Sequence, residues 1–324
     1  EELRQTLRTS RLSAGNYFNL IRNRENSTWE FRSATQYAYQ PASLLLEEGK
    51  SKFNQHSFYT DNSAAYLRKY NGFTQQYKAG IQGERVTMKY TPPTQPNDFN
   101  ASNLSLYFNP YFQLQRGKWL ATLSLALKAQ RYFSQQRSFL FFNPSTYLRY
   151  KLDYHWTFSL YGSLKRSAGD FSDLYPGLYQ TDYRTWRSGN GLFPTSTTQT
   201  YNLYGEYKNT VQEFFVTASL TYSRSNRNTL FEQSVSENAI VYTRRELPNH
   251  SDSWNLSSTL SKGIYDWHLK TSLTLLLSRS NGEQLTRLTD SDPQSLLQTY
   301  RYDYLKAEPK IIWSPADLFE AEYL

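Results

Sequence analysis

The sequence predicts an all-β protein and, within that class, a transmembrane antiparallel β-barrel, partial at about 14 strands of a larger barrel. Three observations lead there: a period of two in the apolar residues, connections that alternate between tight and long, and tryptophans gathered just past the tight turns. Composition points the same way. The 324 residues include 7 Trp, 28 Tyr and 19 Phe, while Ile and Val together number only 6 and 5. A soluble β core leans on β-branched residues, whereas Tyr and Trp suit places with one apolar and one wet end. Hydrophobic residues make up 38% of the chain and mean hydropathy is −0.73. No apolar run approaches the 18 residues or so that a transmembrane helix needs, so only strands could cross a membrane. Zero Cys excludes a disulfide framework, a thiolate zinc site and a cysteine nucleophile.

Taken in order, the charged stretch at residues 1–11 is the one helical candidate. Glu25-Asn26-Ser27 then turns into Trp29, Phe31, Ser33, Thr35, Tyr37 and Tyr39. Asn71-Gly72 is a type I′ turn signal. Leu104, Leu106, Phe108, Phe112 and Leu114 alternate with polar residues and turn at 115–118 into Trp119, Ala121, Leu123, Leu125 and Leu127. Residues 144–152 turn at 153–155 into Trp156, Phe158 and Leu160. Tyr201, Leu203 and Tyr207 turn at 209–212 into Phe214, Val216 and Leu220. Trp254, Leu256 and Leu260 turn near Gly263 into Trp267, Leu269, Leu273, Leu275 and Leu277, and Ser314-Pro315-Ala316-Asp317 opens a last hairpin. Strands of roughly 9 to 16 residues are expected. Between the hairpins lie polar segments read as loops: 41–57, 91–100, 132–143, 167–198, 226–250 and 282–297.

A soluble β-sandwich is the competing explanation of such alternation. It accounts for neither the strand length nor the one-sided distribution of long loops, both of which are features of outer-membrane barrels. Nor does a sandwich core sort aromatics by height. Trp29, Trp119, Trp156, Phe214 and Trp267 each take an early apolar position after a tight turn, as a membrane girdle would. The opposite face carries Lys128, Gln130, Lys165, His268, Lys270 and many Ser and Thr, which suits a hydrated lumen.

The central stretch is familiar. It contains Phe142-Asn143-Pro144-Ser145, Tyr147-Leu148-Arg149-Tyr150-Lys151-Leu152 and Gly169-Asp170-Phe171-Ser172-Asp173-Leu174-Tyr175-Pro176-Gly177. Tyr183-Arg184-Thr185, Gly189-Asn190-Gly191 and Pro194 follow. Over residues 105–280 the chain resembles the barrel of Bacteroidota TonB-dependent outer-membrane transporters, in the branch with an N-terminal carboxypeptidase-regulatory-like domain. The resemblance implies a barrel of about 22 strands, a plug, and import of a nutrient ligand driven by TonB. No plug-like segment or TonB box is visible, so residues 1–324 are expected to be one incomplete barrel domain that meets the TonB complex through a plug outside this chain.

Chemistry elsewhere is sparse. His56, His155, His250 and His268 have no sequence neighbours that suggest a nucleophile or a metal site, so no catalytic residue, metal or cofactor is expected. Gly189-Asn190-Gly191 precedes a strand and reads as a turn. The formal charge of +8 is dispersed rather than striped, which argues against nucleic acid. Lipopolysaccharide phosphates and a basic lumen explain it better. The most distinctive loop is 167–198, where Tyr179, Tyr183, Arg184, Trp186 and Arg187 form the candidate ligand-binding set; folding over the mouth onto its neighbours is the competing role for it. The expected setting is the cell outer membrane, with lipid, lipopolysaccharide and a surface lipoprotein as partners. Two alternatives stand beside the importer: a passive or structural barrel with interaction loops, and a soluble secreted glycan-binding β-protein.

The register makes two further expectations. The tight turns at 25–28, 115–118, 153–155, 209–212, 263–266 and 314–317 share one rim, facing the periplasm. Leu123, Leu125, Phe158, Leu160, Val216, Leu220, Leu273 and Leu275 face lipid, with Ser124, Ser159, Thr217 and Thr274 facing inward.

Overall fold

The computed structural model describes residues 6–46, 49–91, 97–169, 171–182, 184–236, 239–287, 294–316 and 319–323. Its strands are β1 (Thr6–Thr9), β2 (Leu12–Arg24), β3 (Ser27–Leu46), β4 (Gly49–Tyr70), β5 (Phe73–Thr91), β6 (Asn97–Arg116), β7 (Trp119–Tyr132), β8 (Arg137–Lys151) and β9 (Trp156–Ala168). A helical turn α1 (Phe171–Leu174) and the short strands β10 (Tyr179–Gln180) and β11 (Thr185–Ser188) follow. The wall resumes with β12 (Thr195–Asn209), β13 (Phe214–Val235), β14 (Ile240–Ile264), β15 (Leu269–Arg287), β16 (Leu296–Ala316) and β17 (Phe319–Tyr323).

Each wall strand pairs antiparallel with the next in chain order, and β9 pairs directly with β12 across the 167–198 excursion. β1 continues β2 along the same partner, β3. Setting aside β1, β10 and β11, fourteen of the seventeen strands build the wall, the expected number. Among the described residues the register gives β2 no partner other than β3, and β17 none other than β16. β2 is exposed along its whole length.

The strands are longer than expected, up to 25 residues in β14. In their described residues, five of the six segments read as loops (41–57, 91–100, 132–143, 226–250 and 282–297) are mostly strand. Their polarity hid them: beyond the membrane neither face of a strand meets lipid, so the ladder continues while the apolar alternation fades. Only 167–198 leaves the wall. Of the stretch 1–11 considered as a helix, residues 6–9 are strand and residues 1–5 lie outside the described part.

The tight turns form one rim, and hydrogen bonds between neighbouring hairpins show it. Lys69 N–H donates to Asn26 O, Gln115 to Gly72, Lys151 to Lys118, Lys208 to His155, Gly263 to Glu213 and Ser314 to His268, at 2.6–3.0 Å. Of the last expected turn, 314–317, residues 314–316 belong to β16 and residue 317 lies outside the described residues. Gly72 is required where it stands: its φ is +75° and a Cβ there would come within 2.6 Å of the Gln115 carbonyl oxygen. In the 153–155 turn, Asp153 Oδ1 accepts the N–H groups of His155 and Trp156, both at 2.8 Å. Trp267 departs from expectation. It sits in a 3₁₀ turn (Tyr265–Trp267), with His268 at φ 50° closing it, and β15 starts only at Leu269. A three-residue turn absorbs the positions that alternation had assigned to the strand.

Above that rim, one face of the sheet is apolar and exposed. Leu148, Leu160, Leu203, Leu220, Leu256, Leu277 and Leu305 lie side by side across seven neighbouring strands, each at least 37% exposed. The row begins close to the turn at 152–155 and ends well above the foot of β16, the stagger that tilted barrel strands need. Phe158, Leu160, Leu220 and Leu275 share this exposed face as expected. The opposite face is polar and self-bonded: Asn202 Nδ2 donates to Ser219 and Thr221 at 2.7 Å, and Ser278 Oγ donates to Asn255 at 2.7 Å. Apolar side chains turned out and hydrogen-bonded polar ones turned in define a transmembrane antiparallel barrel wall.

Candidate functional site

The site lies where the 167–198 segment crosses the concave side of the wall. Gln180 accepts a hydrogen bond from Ser51 on β4 at 3.3 Å, while β11 pairs in parallel with Ile240–Thr243 on β14. One segment can touch strands so far apart only if the sheet curves around it.

What receives the segment is an inversion of the apolar pattern. In lower β5 the apolar positions are Tyr77, Ala79 and Ile81, with Ile81 exposed; in upper β5 they are Val86, Met88 and Tyr90, all buried. No bulge intervenes, because the registers to β4 and β6 run unbroken. The phase therefore passes from one face to the other. The same change occurs in β6 (Leu104, Leu106 and Phe108 exposed, Ala101 buried) and in β7 (Leu127 exposed, Tyr132 buried), whereas β8 is apolar on both faces at this level, with Leu140 and Phe142 exposed and Phe141 between them buried. Onto this inward patch fold Phe171, Leu174 and Tyr175, with Phe53, Phe99, Phe139, Tyr179, Trp186 and Phe193 packed around them. Tyr175 is fully buried, edge-on to Phe53, Phe99 and Tyr179 at 5.5–6.4 Å between ring centres.

Backbone bonds pin the segment at both ends. Gly169 N–H donates to Pro194 O at 2.7 Å. Asn228 on β13 accepts from Thr195 N–H at 2.6 Å and donates to Phe193 O at 2.9 Å. Asn190 and Gly191 have φ of 54° and 65°, so Gly189-Asn190-Gly191 is the turn expected. Burial pushes the Tyr175 phenol up to about 12, with Tyr90, Asp98 and Tyr179 adding to it. Burial also opposes ionisation of Asp182, yet the N–H of Arg184 and the bonds from Thr185 outweigh it and hold the carboxyl below its ordinary range.

Two cavities flank the segment, and both are lined by residues 167–169. One, of about 260 Å³, is polar and carries Lys128, Lys165, Arg166 and Glu84 with Gln82, Asn103 and Gln130. Asn143 fixes Arg166 by bonding both its N–H and its carbonyl oxygen, at 2.6 and 3.2 Å. The other, of about 590 Å³, carries Arg227, Arg244, Tyr242, Phe231 and Glu283. Cations outnumber carboxylates in both linings.

The candidate residues divide between these surroundings. Tyr179 stacks on Phe53 at 5.5 Å and Trp186 packs against the mouth core. Arg187 lies over the Phe231 ring at 4.6 Å, with Arg244 over the same ring at 4.2 Å. The Arg184 carbonyl accepts Ile240 N–H at 2.6 Å, and Tyr183 lies outside the described residues. The cavity-lining Lys128, Lys165, Arg166, Arg227 and Arg244 were not in that set. Their signal was available: each lies on or near the part of a strand where the apolar phase is lost. At the opposite rim, Trp29 packs on Tyr66 at 4.7 Å, Trp119 on Tyr150 at 4.3 Å and Trp156 on Tyr207 at 4.8 Å; Phe214 lies 5.8 Å from Tyr207. Of the histidines, His250 comes within 3.6 Å of Glu283, a cross-strand pairing invisible in sequence. Among the described residues no three His, Cys, Asp or Glu side chains converge as a metal site.

No family model matches the chain, and no curated protein is similar to it in sequence. Solved structures do share its fold. The copper transporter OprC matches 96% of this chain at a TM-score of 0.61 and 10% identity. The siderophore receptor PirA of Pseudomonas aeruginosa matches 98% at 0.52 and 12%, and the ferric yersiniabactin uptake receptor FyuA of Yersinia pestis 97% at 0.51 and 8%. The likeness is one of fold: the chain has the antiparallel β-barrel wall of these solved receptors and transporter. The chain spans 58%, 66% and 55% of those three proteins.

Proposed function

We propose that the chain is barrel wall from an outer-membrane receptor that imports an anionic nutrient ligand with energy from TonB, received through a plug domain. The carrying observation is the pairing of an exposed leucine face with a mouth whose two cavities are rich in cations. An exposed row of this length is unfavourable in water and favourable in lipid, which speaks against a soluble glycan-binding protein. The packed 167–198 segment narrows the mouth, which favours a selective receptor over a passive pore. In this reading Trp29, Trp119, Trp156, Phe214 and Trp267 form the periplasmic girdle. Tyr179, Tyr183, Arg184, Trp186 and Arg187 present the segment that meets the ligand, and a surface lipoprotein is a fitting partner for the mouth. The motifs between Phe142 and Pro194 support the Bacteroidota branch.

Uptake of iron-labelled ferric yersiniabactin and of Cu²⁺, the cargoes in the names of two structural neighbours, tests the reading in cells carrying the full receptor. Uptake of ferric yersiniabactin that disappears without TonB, and falls on Arg227→Ala/Arg244→Ala substitution, is expected; TonB-driven uptake of the cation Cu²⁺ alone, undiminished by that substitution, would overturn the anionic reading. Equal accumulation with and without TonB would instead establish a passive barrel.

A further inference from the structure

The exposed face carries a charged feature that the mouth does not use. Across β13 to β16 lies a groove of about 690 Å³ lined by Leu220, Leu256, Leu277, Leu305 and Trp254, with Arg279 and Asp303 at one end. Trp254, Arg279 and Asp303 stand in one register row. Arg279 Nε donates to Asp303 Oδ1 at 2.7 Å, and Arg301 Nε donates to Oδ2 at 2.9 Å. One carboxylate thus holds two guanidinium groups through their Nε atoms, so the trio keeps one net positive charge for a second anion. All three side chains are about half exposed.

Height in the wall decides what that anion is. At the tight-turn end Leu269 pairs with Trp313, and Arg279 pairs with Asp303 ten residues further along β15. Ten residues at about 3.4 Å each, in strands tilted by about 40°, rise about 26 Å, close to the thickness of a barrel's apolar band. The arginine pair therefore reaches headgroups while the leucines below it stay among acyl chains.

We infer that this groove docks a phosphorylated glycolipid of the outer leaflet, lipid A, with an acyl chain along the leucines and a phosphate on Arg279 and Arg301. Guanidinium forks match phosphate oxygens in charge and geometry. The inference rests on the membrane-spanning reading with the tight turns in the periplasm, which makes this end the glycolipid leaflet.

Native mass spectrometry of the detergent-solubilised full chain tests it against four probes: lipid A, lipid A stripped of its phosphates, phosphatidylglycerol and inorganic phosphate. Lipid A should be retained best, and its retention should fall about tenfold on removing its phosphates or in Arg279→Gln/Arg301→Gln. Lys151→Gln/Lys208→Gln, the same charge change at the opposite rim, should leave it intact. Equal retention by the arginine variant, equal binding of stripped lipid A, preference for phosphatidylglycerol, or saturation by phosphate alone would each overturn the site. Insertion of the wild-type chain into vesicles is scored separately. A chain that inserts but does not discriminate loses only this site, and one that fails to insert loses the barrel reading and the site together.

Discussion

The lower wall and the mouth are made by the same strands with opposite solvents. In the lower wall Ile81 of β5 and Leu127 of β7 point out of the sheet and no described residue covers them. At the mouth Val86, Met88, Tyr90 and Tyr132 point inward and are buried under Phe171, Leu174 and Tyr175. A strand has no preferred greasy side; the medium outside and the segment inside choose it. The point where the phase inverts therefore marks where lipid ends and the protein supplies its own core.

The largest expected effect strikes the mouth. Tyr175→Ala removes a fully buried ring and should cost about 3–5 kcal/mol of local stability. Hydrogen exchange should speed up in residues 171–193 and leave the lower half of β14 unchanged; faster exchange along the whole wall would break the separation of the two regions. Next comes the lower wall. Leu260→Arg, near the middle of the apolar band because Leu260 pairs with Leu273 four residues above Leu269, should cost about 2–4 kcal/mol, measured by unfolding from lipid vesicles, while Ser261→Arg on the opposite face should be nearly neutral. Equal costs at these adjacent positions would reverse the assignment of faces.

Two pH responses are smaller and belong to the mouth alone. The Tyr175 phenol is raised to about 12 in the folded chain. The stability it contributes is complete below about pH 10 and lost as pH rises toward 12. Exchange in 171–193 should accelerate over that window, and Tyr175→Phe should abolish the acceleration. Asp182 is shifted the other way: its folded value is depressed, so its contribution is present above the ordinary carboxylate range and lost as pH falls through the depressed value. Loosening of the 181–185 turn on acidification, absent in Asp182→Ala, is the smallest effect expected; a turn indifferent to pH would show that its hydrogen bonds do not need the charge.

Much of the wall could be read from the chain because its physics is local. Leu203, Leu220, Leu256 and Leu277 announce their face by alternation, and Asn71-Gly72 announces its turn by backbone chemistry. The upper strands could not be read in that way. Residues 226–235 and 240–250 are rich in polar residues, so they look like loop although they pair along their length, with one register shift between Arg227 and Thr229. Trp267 was misplaced by a three-residue turn that alternation does not register. At the mouth, the shift from Ile81 to Val86, Met88 and Tyr90 is present in the sequence, but its meaning depends on a segment some ninety residues away.

The sequence by itself determined the strand period, the tight-turn rim and the exposed apolar face, because each depends on neighbours one or two residues apart or on a single turn. Only the tertiary structure decided that 167–198 crosses the concave side rather than standing in solvent, and that Arg187 of this segment meets Phe231 beside Arg244. One segment reaches both Ser51 on β4 and Ile240–Thr243 on β14, strands that only the curvature of the sheet brings within its span. Curvature comes from the summed twist and stagger of fourteen strands, a quantity that no single stretch of the chain contains.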